Sequence, residues 1–191
     1  MPATAMDSAL VAHWIDGKEQ AGFSGRTAPV YDPALGTVST HVSLVNLAGI
    51  VAAIASATAA FPARRDQSIA KRQQILFSLR ELLNAREGEM AEIITSERGK
   101  VLSDALGEVS RGQEVVEFSC GIPHLLKVDY SENDLIGVDM YSTRQAPGVV
   151  AVIIPFNFPA TVPKWFFPLA LAAASTSVSP KMAHAIRSAE R

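Results

Sequence analysis

Cysteine is almost absent: Cys120 stands alone in 191 residues. A single cysteine excludes an intrachain disulfide and a multi-cysteine zinc site, and it fits a reducing compartment. Metal-ligand spacing is missing as well. His13, His41, His124 and His184 are scattered, none paired at i, i+4 with a second ligand, so no metal site is expected. Neither sign of charge is in excess. Lys plus Arg number 17 and Asp plus Glu 19, a formal net charge of −2, which lacks the basic footprint of a nucleic-acid binder. There is no secretory leader in MPATAMDSAL, which carries Asp7 and has neither a basic start nor a long apolar run. There is also no unbroken membrane span in the most apolar stretch, residues 148–174. Pro155, Pro159, Pro163 and Pro168 interrupt it and Lys164 adds a charge, whereas a span needs about 20 apolar residues with an intact backbone ladder. Internal repeats and low-complexity tracts are lacking. These absences predict a cytoplasmic or organelle-matrix protein without nucleic-acid or membrane partners.

What is present is a globular composition, 48% apolar and 19% charged. A chain of this length buries roughly 70% of its unfolded surface, enough for one sizeable core.

The first forty residues predict a small β region. His13-Trp14-Ile15-Asp16-Gly17-Lys18 centres a hairpin turn on Asp16-Gly17. Asp32-Pro33 and Gly36 mark a second turn within residues 30–42. Four helical segments follow. Residues 45–61 carry Val45, Leu47, Ile50, Val51 and Ile54 near helical spacing, with Pro62 as the stop. Residues 67–86 place Ile69, Ile75, Leu76, Leu79, Leu82 and Leu83 on one stripe and end at Gly88. Residues 89–98 form a short segment closed by Gly99, and residues 102–126 a longer one. Gly107 and Gly112 inside the last segment cost helix propensity and allow close packing or ligand approach.

Residues 135–145 alternate as a strand. Residues 149–154, VVAVII, are a continuous β-branched run, the mark of a strand buried in a parallel sheet. Residues 160–174 predict a helix with Pro163 near its first turn, and residues 176–179 the next strand. The fold class is therefore α/β: helices plus the start of a doubly wound parallel sheet, incomplete within these 191 residues.

Ligands of such sheets sit at the carboxyl ends of strands. There the chain reads Ile154-Pro155-Phe156-Asn157-Phe158-Pro159, with Asn157 the only polar side chain. A rigid loop presenting a carboxamide can stabilise an oxyanion, worth about 2.7–4 kcal/mol when well placed. The competing reading is that Asn157 caps the following helix or satisfies the backbone of the turn.

These residues carry a resemblance. Gly148-Val149-Val150, the proline-bounded Asn157 loop, Val162-Pro163 and Trp165-Phe166-Phe167-Pro168-Leu169-Ala170 resemble the N-terminal part of the aldehyde dehydrogenase superfamily. The similarity is greatest to its CoA-acylating methylmalonate-semialdehyde dehydrogenase branch. It extends over residues 13–178, with support from Asp32-Pro33-Ala34-Leu35-Gly36, Glu108-Val109, Arg111-Gly112 and Val116-Glu117-Phe118.

The resemblance implies a cysteine thiolate attacking an aldehyde, hydride transfer to NAD and release of the acyl group to coenzyme A. It implies that Asn157 is the catalytic oxyanion donor and that Ile154 and Phe156 border the cofactor. Arg111 matches an arginine that meets the substrate carboxylate, a role suited to a planar bidentate donor. Its competing reading is an exposed helix charge paired with Glu108 or Glu114.

The sequence also departs from the pattern. The family strand normally closes on Lys-Pro-Ser-Glu, whose lysine binds the adenosine ribose. Here Ser179-Pro180-Lys181-Met182-Ala183 reverses lysine and proline, so Lys181, the candidate ribose ligand, is displaced by one position and reads as a solvated charge. The nucleophilic cysteine, the glutamate base and the glycine-rich cofactor turn of the family are missing. Cys120, inside a predicted helix, reads as a buried small hydrophobe.

The implied domain is a partial NAD-binding domain over residues 1–191, with an oligomerisation-type strand near residues 135–145 and no catalytic domain. Its implied partners are a semialdehyde carboxylate and full-length subunits in a homo- or hetero-oligomer. Two further readings are a non-catalytic remnant that associates with such subunits and a degenerate product without a folded state.

Overall fold

The computed structural model describes residues 10–20 and 22–178. Five short strands come first: β1 (Leu10–Val11), β2 (His13–Ile15), β3 (Lys18–Gln20), β4 (Thr27–Tyr31) and β5 (Val38–Ser43). β2 and β3 form the expected hairpin. Asp16 and Gly17 have φ of 57° and 68°, left-handed values at both turn positions. β4 pairs antiparallel with β5, and β1 joins β5 in parallel, giving the order β1-β5-β4. Between β4 and β5, Asp32 Oδ1 accepts from the N–H groups of Ala34 at 2.7 Å and Leu35 at 3.0 Å, which fixes the turn.

Helix α1 spans Leu47–Arg65 and is capped by Asn46, whose side chain accepts from the Gly49 N–H. Pro62 does not stop it. Proline removes only its own donor, and one further turn forms, closed by Asp66 N–H to the Pro62 carbonyl at 3.1 Å. By length and composition only, α1 is long and apolar enough to cross a membrane.

Helix α2 (Ile69–Ala85) starts at Ser68, which accepts from Lys71 N–H. Only part of its expected stripe is covered. Leu76 and Leu83 are buried, while Ile69, Ile75 and Leu82 are exposed. Gly88 does not end α2. The chain breaks at Arg86, and Gly88 falls in the first turn of α3 (Glu87–Arg98), where no left-handed residue is required. Gly99 does end α3, with φ 68° and its N–H on the Thr95 carbonyl at 2.8 Å.

The expected helix over 102–126 is two: α4 (Leu102–Cys120) and, past Gly121, the short α5 (Ile122–Leu125). The expected strand over 135–145 is a hairpin of β6 (Tyr130–Leu135) and β7 (Val138–Tyr141). Gly137, φ 74°, sits in the turn between them, and every residue of both strands is exposed. β8 covers only Val149–Ala151 of the β-branched run. Helix α6 (Thr161–Ala172) crosses over to β9 (Thr176–Val178), which pairs in parallel with β8. This is the strand, helix, strand unit expected at the opening of a doubly wound sheet. Burial on both faces is not reached: Ile153 is 90% exposed beside a sheet of two strands.

The core lies among the helices. Leu83, Met90, Ala91, Ile94, Ala105, Val109, Val116 and Ala160 form its main cluster. Leu76, Cys120, Ile122 and Ala172 form a second, so Cys120 is a packing residue.

Candidate functional site

Among the described residues β8 ends at Ala151, and further on Pro155 and Pro159 carry no N–H to donate to a ladder. Residues 156–160 turn, and Val162 N–H closes onto the Phe158 carbonyl at 3.2 Å as α6 begins. Pro159 is fully buried and pins the turn, whereas Phe156, Asn157 and Phe158 are exposed.

Asn157 is not the cap of α6. That helix has no side-chain cap bond at its N-cap residue, Ala160. Its Ala160 N–H instead donates to Glu108 Oε1 of α4 at 2.8 Å. A carboxylate at this point also faces the positive end of the α6 dipole. The Asn157 carboxamide therefore stands free of helix capping at the carboxyl end of β8.

Glu108 is the hub beneath the loop. Its side chain is 1% exposed, and its Oε2 accepts from Lys100 Nζ at 2.5 Å. Its own carbonyl accepts from Thr161 Oγ1 at 2.7 Å. Lys100 Nζ also lies 4.4 Å from the Phe158 ring centroid, and the Arg98 guanidinium 4.6 Å from that of Phe156. Both aromatic neighbours of Asn157 are thus held by cations, Arg98 from the last turn of α3 and Lys100 from the turn between α3 and α4.

Behind the hub, Lys164 of α6 is 2% exposed, and its Nζ donates to the Val109 carbonyl at 3.4 Å. Burial lowers its pKa to about 8, against the opposing pull of Glu108 and Glu87. Gly112 makes this crossing possible. A Cβ there would sit 2.5 Å from Lys164 Cδ and 3.3 Å from the Ala160 carbonyl oxygen, while Gly107 faces open space. Of the two glycines in α4, Gly112 is the one required for packing.

Arg111 is exposed on α4, between Glu108 and Gly112, which both face α6. The alternative reading pairs Arg111 with Glu108 or Glu114; Arg111 is indeed an exposed helix charge, but no ion pair to either is formed, and Glu108 instead bonds Lys100 and the Ala160 amide. Ile154 is half-buried and Phe156 is 44% exposed, both on the same loop as Asn157. Lys181 lies outside the described residues. A cleft of about 470 Å³ lined by Arg65, Arg72 and Arg144 opens beside Ala173 and Ala174, at the opposite end of α6 from Asn157.

Lys100, Glu108 and Lys164 were not legible as site residues. The available signals were weak: one lysine in an otherwise apolar helix, and a glycine four residues after a glutamate.

A strand, crossover helix and parallel strand with an exposed carboxamide in the loop after the first strand is the opening unit of an α/β sheet, the class of fold that binds ligands at the carboxyl ends of its strands. The comparisons narrow it. Residues 20–185 match the model of the aldehyde dehydrogenase family, and the chain belongs to that family. It is 43% identical over 166 residues to the malonate-semialdehyde dehydrogenase of Pseudomonas aeruginosa, covering 87% of this chain and 33% of that one. It is 38% identical over 178 residues to the acylating mitochondrial methylmalonate-semialdehyde/malonate-semialdehyde dehydrogenase of Rattus norvegicus, covering 92% and 33%. Among solved structures, it matches a protein of Sinorhizobium meliloti described as a methylmalonate-semialdehyde dehydrogenase and complexed with NAD. The TM-score is 0.89 at 40% identity, over 92% of this chain and 36% of that one. The methylmalonate-semialdehyde dehydrogenase of Oceanimonas doudoroffii also gives 0.89, at 37% identity, over 94% and 37%. The chain thus spans about a third of the length of the curated relatives it matches. Those relatives include bacterial and mitochondrial proteins.

Proposed function

We propose that these residues supply the oxyanion-stabilising part of an NAD-dependent, CoA-acylating malonate or methylmalonate semialdehyde dehydrogenase, and that alone they have no turnover. The observation that carries this is the Asn157 loop: an exposed carboxamide, not engaged as a cap, between two rings held by cations. Asn157 donates an N–H to the oxygen that gains charge when a thiolate adds to the aldehyde carbon. A fixed donor does so without reorganising, which is why it acts on the barrier. Arg111 offers a two-pronged donor to the carboxylate at the far end of the semialdehyde. The sequences of the relatives named above support the substrate class.

The residues fit the nicotinamide cofactor in part. Half-buried Ile154 and exposed Phe156 give an apolar border at the strand end where a nucleotide would lie. NAD, when bound, accepts the hydride, and coenzyme A accepts the acyl group. The attacking thiol is not supplied by Cys120, which is 6% exposed and whose pKa burial pushes up.

The test joins this chain in frame to the remaining two thirds of the Pseudomonas aeruginosa relative. Asn157→Ala should then lower kcat by about 10²–10³-fold. A fall of less than about threefold overturns the role.

A second reading has its own observation. The β6–β7 hairpin exposes Tyr130, Leu135, Ile136, Met140 and Tyr141 together, which favours association with a full-length subunit or a second copy. On this reading the chain is a non-catalytic partner, and co-purification with such a subunit tests it.

A further inference from the structure

An exposed loop can act as an oxyanion donor only if something fixes its carboxamide. We propose that the Lys100–Glu108 ion pair is the positioning device for Asn157, a proposal that rests on the oxyanion reading above. The pair and the backbone of Glu108 meet three residues between the loop and the start of α6, Phe158, Ala160 and Thr161. Glu108 Oε1 accepts from Ala160 N–H at 2.8 Å, and the Glu108 carbonyl accepts from Thr161 Oγ1 at 2.7 Å. Glu108 Oε2 holds Lys100 Nζ at 2.5 Å, and that same ammonium stands 4.4 Å from the ring of Phe158, the residue after Asn157.

The upstream side is bracketed in the same way. Arg98 lies over Phe156, the residue before Asn157. Arg98 and Lys100 flank Gly99, whose left-handed φ of 68° turns the chain between them. A Cβ at that position would also meet Pro33 Cγ at 3.1 Å, so the turn is closed to larger residues on two counts.

The energetics favour a geometric role. In this part-buried pair Glu108 loses nearly all its hydration and Lys100 keeps some, and such a pair is weak as a source of net stability compared with an apolar pair of similar shape. What it does impose is direction: a carboxylate with both oxygens used fixes the Ala160 amide and the Lys100 ammonium relative to each other. Phe158 is then seated against the ammonium and Asn157 is set between two anchored rings. Lys100 and Glu108 touch no reacting atom in this scheme. They act through the loop.

The experiment uses the 191-residue chain. Lys100→Met keeps the stem and removes the charge, Lys100→Arg restores a cation, and Lys127→Met is an exposed control. Two readouts are taken: the resonances of the Asn157 carboxamide and the 156–158 amides, and hydrogen exchange of the Ala160 amide against that of Ala105 in the helical core. In Lys100→Met the loop resonances should move and Ala160 should exchange at least about tenfold faster than before, with Ala105 unchanged, as in a local opening. Lys100→Arg should return both readouts towards the parent. Unmoved loop resonances, or equal acceleration at Ala160 and Ala105, overturn the proposal, since a purely structural pair gives the latter. Mass-spectrometric exchange of the peptide covering residues 153–162 gives the same decision without resonance assignment. A failed Asn157→Ala result in the joined enzyme would instead count against the oxyanion role and leave these loop readouts standing.

Discussion

At the scale of single residues, the most consequential placement is Lys164. An ammonium that is 2% exposed is costly to keep charged, and its pKa falls to about 8 from the ordinary 10.5. The pH dependence follows from proton counts. Between about 8 and 10.5 the folded chain has released this proton and the unfolded chain still holds it, so the Lys164 contribution to stability rises with pH across that window. Below it, both states are protonated and the full cost of the buried charge is present. Lys164→Met removes the effect. The stability of the variant relative to the parent should therefore be most favourable at pH 7.5 and decline steadily towards pH 10, measured by urea unfolding. The Cys120 thiol, which burial pushes up, acts in the opposite direction but is common to both chains and cancels. A relative stability that does not change with pH would show that the side chain is hydrated. Glycine tells the complementary story. Gly112 and Gly107 look alike in sequence, and only the crossing of α6 distinguishes them.

At the scale of elements, the β6–β7 hairpin is the outlier. It buries none of its residues, and an isolated two-stranded hairpin is at best marginal in water. Its amides should exchange at least about 10²-fold faster than those of Val109 to Val116 in α4, by hydrogen-exchange mass spectrometry of the chain at low concentration. Protection equal to α4 would mean that the hairpin is already covered by another copy. This element also marks where sequence reading stopped. Local signals worked when the cause was local: Asp16-Gly17 made its hairpin, Gly99 closed α3, and Asp32 set its turn. They failed in two ways, where a breaker residue is not an obligatory stop and where the outcome depends on distant neighbours. Pro62 was tolerated because the lost donor affects one bond and the next turn still closes. Gly88 entered a helix because nothing there required a left-handed residue. The Asn157 loop was legible because its prolines and its single amide are contiguous. Its support was not, because Lys100 in the α3–α4 turn and Glu108 on α4 lie 52 residues or more from the residues they contact and meet them only in three dimensions.

At the scale of the whole molecule, the described structure holds a packed helical core and an unfinished sheet. Two parallel strands leave Ile153 90% exposed, and α1 keeps Ile50, Val51 and Ile54 in solvent beside them. Parallel sheets ordinarily have both faces covered, and the chain spans a third of its relatives' length. The core nevertheless links α2, α3, α4 and α6 through two buried clusters, which is enough connectivity for a cooperative transition. The expectation is thus a folded but chemically idle polypeptide. The reason is specific: its one thiol is that of Cys120, which is 6% exposed in the second cluster, has its pKa pushed up by burial, and packs with Leu76, Ile122 and Ala172, remote from the Asn157 loop. Incubated with malonate semialdehyde, NAD and coenzyme A, the 191-residue chain should give no NADH above the enzyme-free rate and no mass increase at Cys120, while still melting cooperatively. Turnover, or an acyl adduct on that thiol, would require Cys120 to reach the loop. That would contradict the packing of α4 against α2 and α6, on which the assignment of the candidate site rests.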